Sequence, residues 1–98
     1  MSRVIAITLL ENCLDSSWVT EFSLDGSVDE RLMNYLAQSG TLKYYPHFPR
    51  PYFRIEHSGK FVIQGVINNQ TMRVTFSPKA SAQTEMDLRD HINRFDEN

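Results

Sequence analysis

Two reversals constrain this chain more than anything else in it: Glu56-His57-Ser58-Gly59-Lys60 and Ile67-Asn68-Asn69-Gln70, each set between segments of alternating apolar residues. Together they divide Tyr52 to Ser77 into a three-strand antiparallel meander. A three-residue loop with Gly59 in the left-handed conformation after a type I turn places Glu56 opposite Lys60, an oppositely charged cross-strand pair. That register sets Ile55 opposite Phe61 and Phe53 opposite Ile63 on one face, with Tyr52 opposite Gln64 and Arg54 opposite Val62 on the other. A two-residue Ser-Gly turn slips the register by one and mixes the faces, which rules it out. The second reversal suits a two-residue type I′ loop, because Asn tolerates positive φ. It pairs Gly65 with Met72, Ile63 with Val74 and Phe61 with Phe76. Both turns thus assemble one apolar face from Phe53, Ile55, Phe61, Ile63, Ile67, Met72, Val74 and Phe76.

That face needs a cover, and two segments can supply it. Ser27-Val28-Asp29-Glu30 has the form of a capping box, and Val28, Leu32, Tyr35 and Leu36 follow at helical spacing before Gly40, predicting a helix from about Val28 to Ser39. Gly65, bare of a side chain in the middle of the apolar face, offers this helix a close approach. A second helix is expected from about Ser81 to Phe95, with Thr84, Leu88, His91, Ile92 and Phe95 on one side and Asp87, Arg89, Asp90 and Arg94 away from it. Its stripe suits docking beside the first helix better than a dimer seam.

The N-terminal part reads as a hairpin. Arg3 to Leu10 is apolar on both sides, as in a strand placed centrally in a sheet or beneath other elements. Its apolar run is short and lacks a small-residue cleavage site, so a strand is preferred to a signal peptide. Glu11 to Ser17 forms a loop, and Trp18, Thr20, Phe22 and Leu24 alternate with Val19, Glu21 and Ser23 as in a half-buried strand. The expected fold is an α+β two-layer sandwich. It has an antiparallel sheet of about five strands in the order β-β-α-β-β-β-α, two helices mainly on one face, and an additional short strand at Thr41 to Tyr45. All 98 residues form one domain, ending in an acidic tail at Asp96 and Glu97.

Charge is distributed unevenly. Residues 1–40 carry two basic and six acidic side chains and residues 80–98 two and five, whereas residues 41–79 carry six basic side chains against Glu56 alone. The meander is a basic island in a chain of net charge −2, a balance that gives no general nucleic-acid or membrane signature. One cysteine, Cys13, excludes an internal disulfide and points to a reducing cytoplasm. No apolar run reaches the ~20 residues that span a bilayer.

Chemistry-bearing residues are sparse. Cys13 has acidic Asp15 nearby, which disfavours the thiolate. His47, His57 and His91 share no short spacing with one another or with Cys13, so no metal site is expected. The four glycines are isolated, which removes a phosphate loop, and no cofactor is implied. No catalytic set emerges, so the chain reads as non-enzymatic.

What does stand out is Tyr44 to Phe53, with three prolines, five aromatics, His47 and Arg50 in ten residues. It reads either as a stiff connection whose aromatics tuck under the sheet edge or as a rigid recognition loop, since prolines lower the entropy lost on binding and aromatics with Arg are favoured at interface centres. The loop adjoins the outer face of the meander, where the register makes Gln64 a neighbour of both Tyr52 and Arg73. The candidate binding residues are Tyr45, His47, Phe48, Arg50, Tyr52, Arg54, Lys60, Gln64 and Arg73. They support a small protein-interaction or regulatory module that binds a protein partner or itself. Single-stranded nucleic acid on the same face is the alternative, and an accessory subunit completing an enzyme site is a third reading.

Overall fold

Alternation of period two in the middle of the chain and helical periodicity on either side resolve into six strands and two helices. The computed structural model describes residues 3–95, so Met1, Ser2 and the expected acidic tail at Asp96 and Glu97 lie outside the described residues. In chain order the elements are β1 (Val4–Asn12), β2 (Trp18–Leu24), α1 (Glu30–Leu36), a 3-10 turn (Ala37–Ser39), β3 (Thr41–Tyr45), β4 (Tyr52–His57), β5 (Phe61–Val66), β6 (Thr71–Phe76) and α2 (Ala82–Asn93). All strands pair antiparallel in one sheet of order β1-β2-β6-β5-β4-β3. The α+β architecture is as expected, with Thr41–Tyr45 adding the sixth strand.

The apolar face is the one read from the sequence. Phe53, Ile55, Ile63, Met72, Val74 and Phe76 are buried, together with Phe22 and Leu24 of β2. Val28, Leu32, Met33 and Leu36 close over them from the first helical segment, and Leu88 and Ile92 from α2. Among the described residues, fourteen buried apolar side chains share one cluster; fully burying each contributes on the order of 1.5–3 kcal/mol before conformational entropy is set against it. The helices are locked to each other where Tyr35 stacks on His91 at 4.5 Å and meets the Phe95 ring at 4.9 Å with the planes tilted by 51°, and Tyr35 Oη donates to the His91 carbonyl at 2.8 Å.

Five expectations are corrected. The β5–β6 register is as read, Ile63 opposite Val74 and Phe61 opposite Phe76, but only Asn68 has positive φ, +78°, so the connection is not a type I′ loop. The β4–β5 register is two residues from the expected one: Ile55 faces Ile63, Phe53 faces Gly65, Arg54 faces Gln64 and His57 faces Phe61. A two-residue slip keeps every side chain on its own face, which is why the apolar set survives it. Gly59 does adopt the left-handed conformation, at φ +74°. It does so inside a His57–Lys60 turn closed by Lys60 N–H to the His57 carbonyl at 3.0 Å. Ser77, following β6, fixes that turn from outside, its hydroxyl donating to the Gly59 carbonyl at 2.9 Å and its N–H to the Lys60 carbonyl at 2.8 Å. Glu56 therefore faces Val62, not Lys60, and its carboxylate turns to Arg54 on the same strand.

The first helix begins two residues late, because the cap is Asp29, whose carboxylate accepts from Leu32 N–H at 2.8 Å. Ser27 is displaced from that role because Val28 exchanges backbone hydrogen bonds at 2.7 Å with Asn68 and Asn69. Gly65 makes room for a ring and not for a helix: an added methyl would stand 2.6 Å from Phe53 Cζ. Finally, β1 is an edge strand instead of a central one. Its pairing with β2 is interrupted around Ile5 and Leu10 by register shifts, and Ile5 is 66% and Leu9 54% exposed. The second helix matches its expected start, with a Ser81/Thr84 capping box. It docks as expected, and its Asn93 Oδ1 accepts from Val4 N–H at 2.8 Å.

Candidate functional site

Since the buried residues of the sheet all point to the helix side, the alternate residues form an outer face that no helix covers among the described residues. Cross-strand pairing builds one polar row through its middle: Lys43 opposite Arg54, Arg54 opposite Gln64, Gln64 opposite Arg73, and Arg73 opposite Glu21. The guanidinium of Arg54 is held by Glu56, Nε to Oε1 at 3.1 Å, with both side chains about two-fifths exposed. Such an exposed pair positions more than it stabilises, contributing on the order of 0–1 kcal/mol.

Beside this row stands an aromatic triangle. Tyr45 and Tyr52 are direct cross-strand partners, with ring centroids 5.9 Å apart, and Phe48 of the connecting loop closes on both, 5.0 Å from Tyr45 and 6.5 Å from Tyr52. The three ring planes lie within 12–24° of one another. Phe48 is 51% and Tyr45 40% exposed, so the cluster is open to solvent. Tyr52 joins it to the polar row, because Gln64 Nε2 donates to Tyr52 Oη at 3.0 Å. A shallow depression of about 260 Å³ lies between Tyr52, Gln64, Arg73 and Glu21.

The loop carrying Phe48 is stiff for identifiable reasons. Pro46, Pro49 and Pro51 fix three of its φ angles. Its far end is tied to the β5–β6 connection, where Arg50 Nη2 donates to Asn69 Oδ1 at 2.6 Å and Ile67 N–H to the Pro51 carbonyl at 2.9 Å. At its near end Tyr44 Oη donates to Glu30 Oε2 at 2.8 Å, a bond that raises the Tyr44 pKa above the ordinary phenol value.

Of the candidate residues, Tyr45, Phe48, Tyr52, Arg54, Gln64 and Arg73 converge on one surface, and Arg50 braces its loop. His47 is exposed and makes no hydrogen bond, ion pair or ring contact among the described residues. Lys60 belongs elsewhere, at the opposite end of the β4–β5 hairpin from Tyr52. Lys43 and Glu21 escaped the sequence reading, although Lys43 shares the period-two alternation of Thr41 and Tyr45. Their membership depends on which strands become neighbours of β4 and β6, which no local signal states. No group of His, Cys, Asp or Glu able to hold a metal ion is present among the described residues. Nor is any helix among them long and apolar enough to cross a membrane. Compared with known proteins, the chain matches no family model, no curated protein and no solved structure.

Proposed function

We propose that this chain is a non-enzymatic protein-interaction module, working in the cytoplasm, whose binding surface is the uncovered sheet face together with the proline-aromatic loop. The observation that carries this reading is the solvent-open Tyr45–Phe48–Tyr52 triangle placed against the Arg54–Gln64–Arg73 row. Aromatic and arginine side chains on a rigid support are the residues that dominate protein interfaces. The charge pattern favours a protein over single-stranded nucleic acid. A nucleic-acid groove presents a continuous positive track for phosphates, whereas here Glu56 holds Arg54 and Glu21 stands opposite Arg73. The partner surface is accordingly one of mixed charge around an apolar centre.

The test is purification of the wild-type chain and of a Tyr45→Ala/Phe48→Ala variant from the cells that make it. The wild type is expected to retain a stoichiometric protein partner, or to self-associate with concentration, and the variant to lose that association with an unchanged circular dichroism spectrum. A wild-type chain that stays monomeric and alone but shows salt-sensitive amide shifts at Tyr52, Gln64 and Arg73 with single-stranded RNA overturns the reading in favour of nucleic acid.

A further inference from the structure

On the helix side of the molecule, a cleft of about 450 Å³ opens between the end of the first helix, the β4–β5 turn and α2. Its volume falls within the range of small-ligand sites, roughly 300–1,000 Å³. The floor is apolar, from Leu36, Phe61 and Leu88, while His57, His91 and Lys60 converge on it from two separate elements. Among the described residues, Lys60 has no carboxylate within ion-pair distance.

Both imidazoles are oriented by the fold. The Leu36 carbonyl can only accept, so at 3.2 Å it fixes a proton on His57 Nε2. Tyr35 spends its one hydroxyl proton on the His91 carbonyl, so its oxygen can only accept from His91 Nδ1, 3.2 Å away. The two rings are thereby held in opposite tautomers. The remaining nitrogens, His57 Nδ1 and His91 Nε2, have no hydrogen-bond partner among the described residues, and in the neutral rings they carry lone pairs.

From this arrangement we propose that the cleft is a binding site for a small organic phosphate monoester, its phosphate held by Lys60, His57 and His91 and its apolar body resting on Leu36, Phe61 and Leu88. This site is separate from the sheet-face surface and does not depend on it. Phosphate suits the donor set better than a carboxylate, since a dianion with three terminal oxygens can engage an ammonium and two imidazoliums together. The charged groups around it are Lys60 from the β4–β5 turn, Asp87 from α2 and Arg94 at its C-terminal cap, while the first helix bonds the two histidines through the Leu36 carbonyl and the Tyr35 hydroxyl.

Binding is coupled to proton uptake. In the free protein burial lowers both histidine pKa values, helped by Lys60 at His57 and by Arg94 and His57 at His91. Lone pairs on the two unused nitrogens repel an anion. An arriving phosphate dianion reverses both effects, so the imidazoles protonate and donate to it, and affinity rises as pH falls from about 8 toward about 6, where the ester's own second ionisation begins to reverse and offsets the gain.

The experiment is a titration of the intact chain with phenyl phosphate and with inorganic phosphate, followed by histidine ring NMR at about pH 6 and about pH 8, either side of the ordinary imidazole pKa. Saturable shifts of His57 and His91 are expected, tighter at the lower pH, tighter for phenyl phosphate than for phosphate, and weakened about tenfold or more in Lys60→Gln. Lys60 is exposed in a turn, so that variant leaves the core intact. Shifts that never saturate, that leave His57 and His91 unmoved, or that persist unchanged in Lys60→Gln overturn the proposal. Equal affinity for the two phosphates removes the organic ligand class.

Discussion

Gly65 lies opposite Phe53 in the β4–β5 ladder, and the Phe53 ring occupies the space that any Gly65 side chain would need. Phe53 is fully buried, so its ring cannot swing out to yield. Gly65→Ala is therefore expected to destabilise the protein by ~1–3 kcal/mol through overpacking, measured as a lower urea midpoint. Adding Phe53→Leu to Gly65→Ala should cost less than the sum of the two single changes, because the smaller side chain frees that space.

The two candidate caps of the first helix make opposite forecasts. Asp29→Ala should cost about 1 kcal/mol, the usual value of a lost N-cap, whereas Ser27→Ala should change stability by less than about 0.5 kcal/mol, as exposed substitutions do. Thermal denaturation of both variants decides it, and equal losses would restore Ser27 to the capping role.

Stability should fall on mild acidification. Burial holds the His57 and His91 pKa values below the ordinary imidazole value, so the unfolded chain binds protons more readily than the folded one. The stabilisation is complete above the unfolded pKa of about 6.5 and is lost as pH falls through that value and the lower folded ones. The melting temperature in phosphate-free buffer is expected to decline between about pH 7.5 and pH 5.5, before carboxylates titrate appreciably. His57→Gln/His91→Gln should flatten that slope.

Replacing Arg54 and Arg73 by Ala together should leave the urea midpoint nearly unchanged, a loss within ~1 kcal/mol, because Arg73 is exposed and Arg54 only half-buried. The same double variant should lose the partner or self-association proposed for the sheet face. A large loss of stability would mean that the row supports the fold and does not serve as a surface.

How far the residues themselves disclosed the fold can be judged at three places. The Asn68-Asn69 reversal yielded the β5–β6 register, with Gly65 opposite Met72 and Ile63 opposite Val74, although its backbone is not that of the type I′ loop from which the register is read. The Gly59 reversal did not, since Gly59 can take positive φ at either of two loop positions, and the turn that forms is held by Ser77, just past β6 and distant in sequence. Arg3 to Leu10 misled for a related reason: a strand apolar on both sides satisfies a buried position, yet among the described residues β1 pairs with β2 alone. For the surface, Tyr52, Gln64 and Arg73 were grouped correctly because a two-residue slip preserves faces. The His57–His91 cleft left no trace in the sequence, as its residues meet only through helix docking.

The seam between β2 and β6 sets the order of assembly. Trp18 pairs with Phe76 and Phe22 with Met72, so during synthesis the β1–β2 hairpin is made well before its partner strand β6 and must wait for it. β3 to β6, by contrast, can pair with their sequence neighbours as each is made. The β2–β6 pairing joins strands far apart along the chain, the kind of contact that slows folding most. Until it forms Phe22 and Leu24 stay uncovered beside an open strand edge, and that interval is when a nascent chain of this sequence is most prone to aggregate.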